Sequence, residues 1–228
     1  MSKDNSNTTP TDDYKLVITI GRQFGSGGRE LGKKIADLLG IKYYDKELLR
    51  QAAEQAGIDQ QIVENNDEHL QSFISTPDIS FSLGGGNISW YQNATSISGN
   101  AIQQVQSDVI QRLAMSEACV IVGRAANYVL RNHPLTVNIF VHAPVESCLE
   151  RIMSRSGITS RQKAEKLRQR TNRLRANYYN FYTDKRWGDA SSYDLCFDTS
   201  RLSTDAIAQI VAHYVGLRFP QLKLQQID

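Results

Sequence analysis

Strand-like and helix-like patterns alternate along this chain. Residues 15–21 (KLVITIG) form a short β-branched run without polar alternation that stops at glycine, the pattern of a strand covered on both faces. A glycine cluster follows. From Glu30 the apolar positions shift to Leu31, Ile35, Leu38 and Leu39, one face of a helix that Gly40 ends. Residues 41–44 predict a second short strand, with Asp45 as N-cap of a helix through KELLRQAAEQAG. Helical spacing returns over 100–116 through Ile102, Val105, Val109, Ile110 and Leu113. Buried strands follow at 118–122 (ACVIV) and 136–142 (TVNIFVH), then a helix opened by Pro144. Residues 159–186 read as one long helical stretch, 193–198 (YDLCFD) as a last strand and 204–215 as a last helix. Such alternation implies a mainly parallel sheet with helices on both faces.

Two stretches fall outside that rhythm. Residues 1–13 are polar and read as a disordered tail, leaving 14–228 as a single domain. Residues 59–98, with Gly84, Gly85, Gly86 and scattered aromatics, read as a long loop, functional or disordered.

Composition narrows the class without adding detail. The chain has 228 residues, of which 40% are hydrophobic and 22% charged, as in an ordinary globular domain. A net charge of +2 is too weak for a nucleic-acid or membrane partner, so any basic function is local. No apolar run reaches the roughly 18 residues of a membrane span, and no signal peptide is legible, so a cytoplasmic location is expected. Cys119, Cys148 and Cys196 lie far apart in apolar runs and read as reduced core thiols. His69, His133, His142 and His213 show no ligand spacing, and no zinc site is expected.

The candidate chemistry begins at GRQFGSGGRE. Three glycines among Gly25, Ser26, Gly27 and Gly28 allow positive φ and let backbone N–H groups converge, which makes an anion nest. Because the nest lies between a buried strand and a helix start, the helix dipole adds to its attraction for phosphate. A tight turn without ligand is the bland alternative. The usual GxxxxGK[ST] motif is altered: Gly28, Arg29 and Glu30 follow Gly27 where lysine and a hydroxyl are customary. Arg29, a planar fork that is always charged, is the candidate cation, Lys33 a weaker one, and Ser26 the only hydroxyl in the turn.

Four blocks in order resemble one family: ITIGRQFGSGGRELGKKIADLLGIKYYDKELL, VIVGRAANYVL, the stretch ending RANYYNFYT, and WGDASSYDLCFDTS. Together they look like the cytidylate-kinase-like group of P-loop nucleoside monophosphate kinases, over nearly the whole chain from about residue 15. The resemblance implies a P-loop parallel sheet flanked by helices, with an acceptor-binding insert at 59–98 and a helical lid at 155–186. It implies transfer of the γ-phosphoryl of ATP to CMP or dCMP with Mg²⁺. Gly25, Ser26, Gly27, Gly28, Arg29 and Glu30 would then hold the nucleotide phosphates.

Where bacterial cytidylate kinases carry Gly-Arg-Asp, this chain has Gly123, Arg124 and Ala125. Arg124 is therefore expected to grip the monophosphate, with Asn127 offering a polar edge in place of the aspartate. Asp45 matches an aspartate after the second strand and is expected to order Mg²⁺ and its waters or the acceptor phosphate, unless it serves only as an N-cap. Arg170, Arg173 and Arg175 are the lid arginines, their spacing read as one helical side with Arg175 beside it. The family's lid carries an arginine and aspartate series, and here Asn172 stands in that neighbourhood. Tyr178, Tyr179, Phe181 and Tyr182 are expected to pack the lid helix on the body. Asp198, Thr199 and Ser200 either border the adenine pocket or form a plain turn. A non-catalytic nucleotide-binding protein and a P-loop kinase for another small acceptor are the competing readings.

Overall fold

The computed structural model describes residues 14–45 and 97–222, with side chains from 103 onward in the second segment. The expected tail, the helix after Asp45 and all but the last two residues of the 59–98 loop lie outside the described residues. The elements are β1 (Val17–Arg22), α1 (Gly28–Leu39), β2 (Lys42–Tyr44), α2 (Ile97–Ser116), β3 (Cys119–Val122) and the single turn α3 (Ala126–Val129). They continue with β4 (Thr136–His142), α4 (Val145–Ser156), α5 (Arg161–Thr183), β5 (Leu195–Asp198) and α6 (Thr204–Arg218).

All strand pairs are parallel, in the order β2-β3-β1-β4-β5. β1 is the central strand, with Ile18 facing Val120 on one side and Val137 on the other. This position explains its β-branched run without polar alternation. Ile18 and Ile20 point into a core shared with Leu31 and Ile35 of α1 and with Ile207 and Val211 of α6. Val17 points the other way, into a second core with Ile121 of β3 and with Val109 and Ile110 of α2. A strand buried on both faces cannot alternate polar and apolar residues. The one hydroxyl in β1, on buried Thr19, donates to Asn138 Oδ1 at 2.7 Å.

A third cluster joins α4 to α5 through Leu149, Ile152 and Ala164. Ser160 caps α5 by accepting from the Lys163 N–H. Gly40 at φ 63° closes α1, its N–H reaching back to the carbonyls of Ala36 and Asp37.

Two expectations are corrected here. The helix expected over 100–116 begins at Ile97, three residues before the sequence periodicity shows it. Cys119 and Cys148 are buried, but Cys196 is exposed. It lies on β5, which pairs with β4 alone at the edge of the sheet. Among the described residues no helix is long and apolar enough to cross a membrane.

Candidate active site

The loop between β1 and α1 turns twice through left-handed backbone, at Gly25 (φ 83°) and Gly27 (φ 82°). Gly27 is the N-cap of α1 and no side chain caps it, so the first amides of the helix face the loop concavity. An anion there meets backbone N–H groups and the positive end of a 12-residue helix together.

The loop is held from outside by residues distant in sequence. The Gln23 N–H donates to Val141 O at 2.9 Å. The Phe24 N–H donates to Asn172 Oδ1 of α5 at 2.7 Å, and Arg151 of α4 donates to Gly25 O at 2.8 Å. Thr199, after β5, donates to Ser26 O at 2.6 Å. Its neighbour Asp198 accepts from the Ser200 N–H and hydroxyl, so the segment beyond β5 is a hydrogen-bonded turn with a buried tie to the nest.

Two members of the expected phosphate site face elsewhere. Ser26 is fully buried and its hydroxyl donates back to Gln23 O at 2.9 Å, which corrects the idea of a hydroxyl presented inside the turn. Glu30 is paired with Arg155 of α4 and accepts from Thr204, so its carboxylate serves the packing of α1 against α4 and α6. Placing this carboxylate in the first helical turn also suits the dipole.

On the β2 side, Arg29 Nε lies 3.6 Å from Asp45 Oδ2, with the arginine about half exposed and the aspartate largely covered. The Tyr43 hydroxyl is 3.5 Å from the same carboxylate oxygen. Burial, and then the charge of Asp45, push this hydroxyl up to about 12, so it is a neutral donor at ordinary pH. Lys33 sits over the Tyr43 ring at 5.7 Å.

At the end of β3, Gly123, Arg124 and Ala125 have φ of 91°, 58° and 51°. Two of these are not glycine, and left-handed backbone costs such residues about 1–3 kcal/mol each. The strained turn projects Arg124 from the C-terminal edge of the sheet, where open α/β sheets bind ligands. Arg124 lies near Tyr178 of α5. Burial raises the Tyr178 hydroxyl to about 12, and the cation opposes that rise. Asn127 is not an open polar edge: its amide donates to the Tyr179 hydroxyl at 2.9 Å and to Ser192 O at 3.5 Å.

The lid expectation is corrected in geometry. Residues five apart on a helix are about 140° apart around its axis. Arg170 and Arg173 are exposed, whereas Arg175 is half-buried and donates to Arg22 O at 3.1 Å, with its guanidinium 5.5 Å from the Phe24 ring. The inward side of α5 carries Asn172, Arg175 and buried Tyr179. Tyr179 packs the helix on the body as expected, while Phe181 is 53% exposed.

The sequence analysis places Asn172 in the lid neighbourhood without a contact for it, and gives no part to Arg151 or Arg22. An available signal for Arg22 is its position three residues before Gly25, at the entry to a nest that lacks lysine after it.

A central strand ending in an uncapped glycine nest, in the order β2-β3-β1-β4-β5, defines a P-loop kinase-type phosphotransferase. The chain belongs to the cytidylate kinase-like family, whose sequence profile matches residues 17–201. Among relatives, a cytidylate kinase of Pyrococcus horikoshii is 28% identical over 198 residues, 86% of each chain. An uncharacterised protein of Eubacterium ventriosum, known as a crystal structure, is 25% identical with a TM-score of 0.65, over 88% of this chain and 98% of that one. A gluconokinase structure from Sinorhizobium meliloti shares the fold at 13% identity and a TM-score of 0.51, over 94% of this chain and 99% of that one.

Proposed function

We propose that this chain is a nucleoside monophosphate kinase that moves the γ-phosphoryl of ATP to CMP or dCMP, giving ADP and CDP or dCDP. The observation that carries the reading is the pairing of two phosphate sites at one edge of the sheet. The uncapped nest opens after β1, and the strained turn bearing Arg124 follows the neighbouring strand β3. Two nucleotides docked there would bring donor and acceptor phosphates together, and positioning is the main work in phosphoryl transfer. No side-chain base is needed, because the acceptor phosphate is already an anion.

Gly25, Gly27 and Gly28 offer backbone amides to the donor phosphates. Arg124 serves the acceptor phosphate as a bidentate fork. Mg²⁺ held chiefly by substrate phosphates needs one or two protein carboxylates, and Asp45, largely covered beside Arg29, fits that part. The ion would supply neutralisation of phosphate charge; Asp45 orients it or its waters, and Arg29 fixes the carboxylate. Residues 155–186 act as the lid, with Arg175 its inward cation and Asn127 a positioning residue through Tyr179. That relatives of this chain are cytidylate kinases supports cytidine as the base.

The test is ADP release with ATP, Mg²⁺ and each of CMP, dCMP, UMP, AMP and GMP. Turnover is expected with CMP or dCMP and at least roughly tenfold less with the others, one pocket contact's worth of discrimination. No ADP release with any monophosphate, while ATP still binds, would overturn the reading in favour of a non-catalytic binder or another acceptor.

A further inference from the structure

We infer that Arg22 is the cation that neutralises the transferring phosphoryl group, in the role the missing lysine would have filled. The inference rests on the kinase reading above and adds a residue that the glycine motif does not contain.

Arg22 is the last residue of β1, facing Val141 of β4 in register. Its path is fixed by two glycines. A Cβ on Gly28 would fall 2.7 Å from Arg22 Cβ and 2.9 Å from Cγ, so the stem runs along the first turn of α1. A Cβ on Gly123 would fall 2.0 Å from Arg22 Nη1 and 2.9 Å from Cζ, so the guanidinium lies against the backbone that ends β3. The head group therefore spans from the nest to the turn that presents Arg124. A side chain at Gly123 would occupy its place.

That gap is where a phosphoryl group passes between a donor on the nest and an acceptor on Arg124. In the transfer, the P–O bond to the bridging oxygen breaks and ADP leaves with the electron pair. A bond forms between phosphorus and an acceptor phosphate oxygen. Charge is spread over three equatorial oxygens, and a planar guanidinium that cannot lose its proton is suited to meet two of them. Arg22 transfers no proton.

Arg29 is placed less well for this part. Its guanidinium reaches the β2 side of the sheet and is engaged with Asp45, with 44% of the side chain exposed. Arg22 is half-buried, and its own carbonyl is held by Arg175 of α5, which ties the cation to the lid helix. The charge of Arg22 also reaches the Tyr43 hydroxyl beside Asp45, which places it in the field of the same cleft.

The experiment compares wild type, Arg22→Met, Arg22→Lys and Arg29→Met for kcat, KM and ATP affinity, with urea midpoints as the folding control. Arg22→Met is expected to lower kcat by roughly 10²–10³-fold, as for loss of a transition-state donor. Arg22→Lys should recover at least tenfold of that, and Arg29→Met should lose less than Arg22→Met. An Arg22→Met enzyme within threefold of wild-type kcat would overturn the assignment and leave the kinase reading standing. If wild type itself turns over no monophosphate, the kinase reading fails instead. ATP affinity then decides on the cation alone: at least tenfold weakening in a folded Arg22→Met supports it, and an unchanged affinity overturns it.

Discussion

Gly25→Ala is expected to destabilise the protein by about 3 kcal/mol and to abolish ATP binding. The added Cβ would lie 2.6 Å from the carbonyl oxygen of Cys148 and 3.0 Å from its Cβ. The first of these is backbone in α4 and has little freedom to yield. At φ 83° the alanine would also carry left-handed strain, a cost of about 1–3 kcal/mol by itself. Relief requires the loop to move off α4, which breaks the Arg151 bond to Gly25 O and spoils the convergence of amides at the start of α1. Urea unfolding and ATP titration measure the two effects. A variant with the wild-type midpoint and affinity would mean that the nest adopts another conformation in solution.

Arg124→Ala should lower kcat/KM for the acceptor by about 10²–10³-fold, the loss expected when a preorganised charge leaves a phosphoryl-transfer site. ATP affinity should change little, because the nest is built from other residues. Stability should change far less than the rate, since alanine at this position carries the same left-handed backbone as arginine. Arg124→Lys should recover only part of the rate, because an ammonium cannot make the paired contacts of a guanidinium. Equal rates for wild type and Arg124→Ala would remove this residue from the acceptor site. Acceptor saturation curves, with ATP held saturating, separate weakened binding from slowed transfer.

What the sequence discloses here follows from locality. β1, β3 and β4 are buried on both faces, so each is rich in β-branched residues without polar alternation, and the 136–142 strand matches Thr136–His142 end for end. The nest is equally legible, because its two left-handed positions, Gly25 and Gly27, are both glycine and close in sequence. Strand order is not written in any one segment: β3 pairs with β1 across about a hundred residues.

The same limit governs the side chains of the site. Periodicity on α5 sorts its arginines into faces but does not tell which face meets the loop, so Arg170, Arg173 and Arg175 read alike although of these three Arg175 turns inward. Arg22 is local to the motif, yet its meaning depends on Gly123, far away in sequence and adjacent in space. Cys196 shows the converse error, an apolar neighbourhood in sequence that lies at a sheet edge.

The bond from the Phe24 amide to Asn172 makes one backbone hydrogen a gauge of the long helix. That hydrogen cannot exchange with water while α5 rests on the loop. Its exchange rate, compared with that of an unprotected amide, gives the free energy of lifting α5 without any catalytic assay. A ligand that draws α5 down slows this clock, and one that must displace the helix to enter speeds it up.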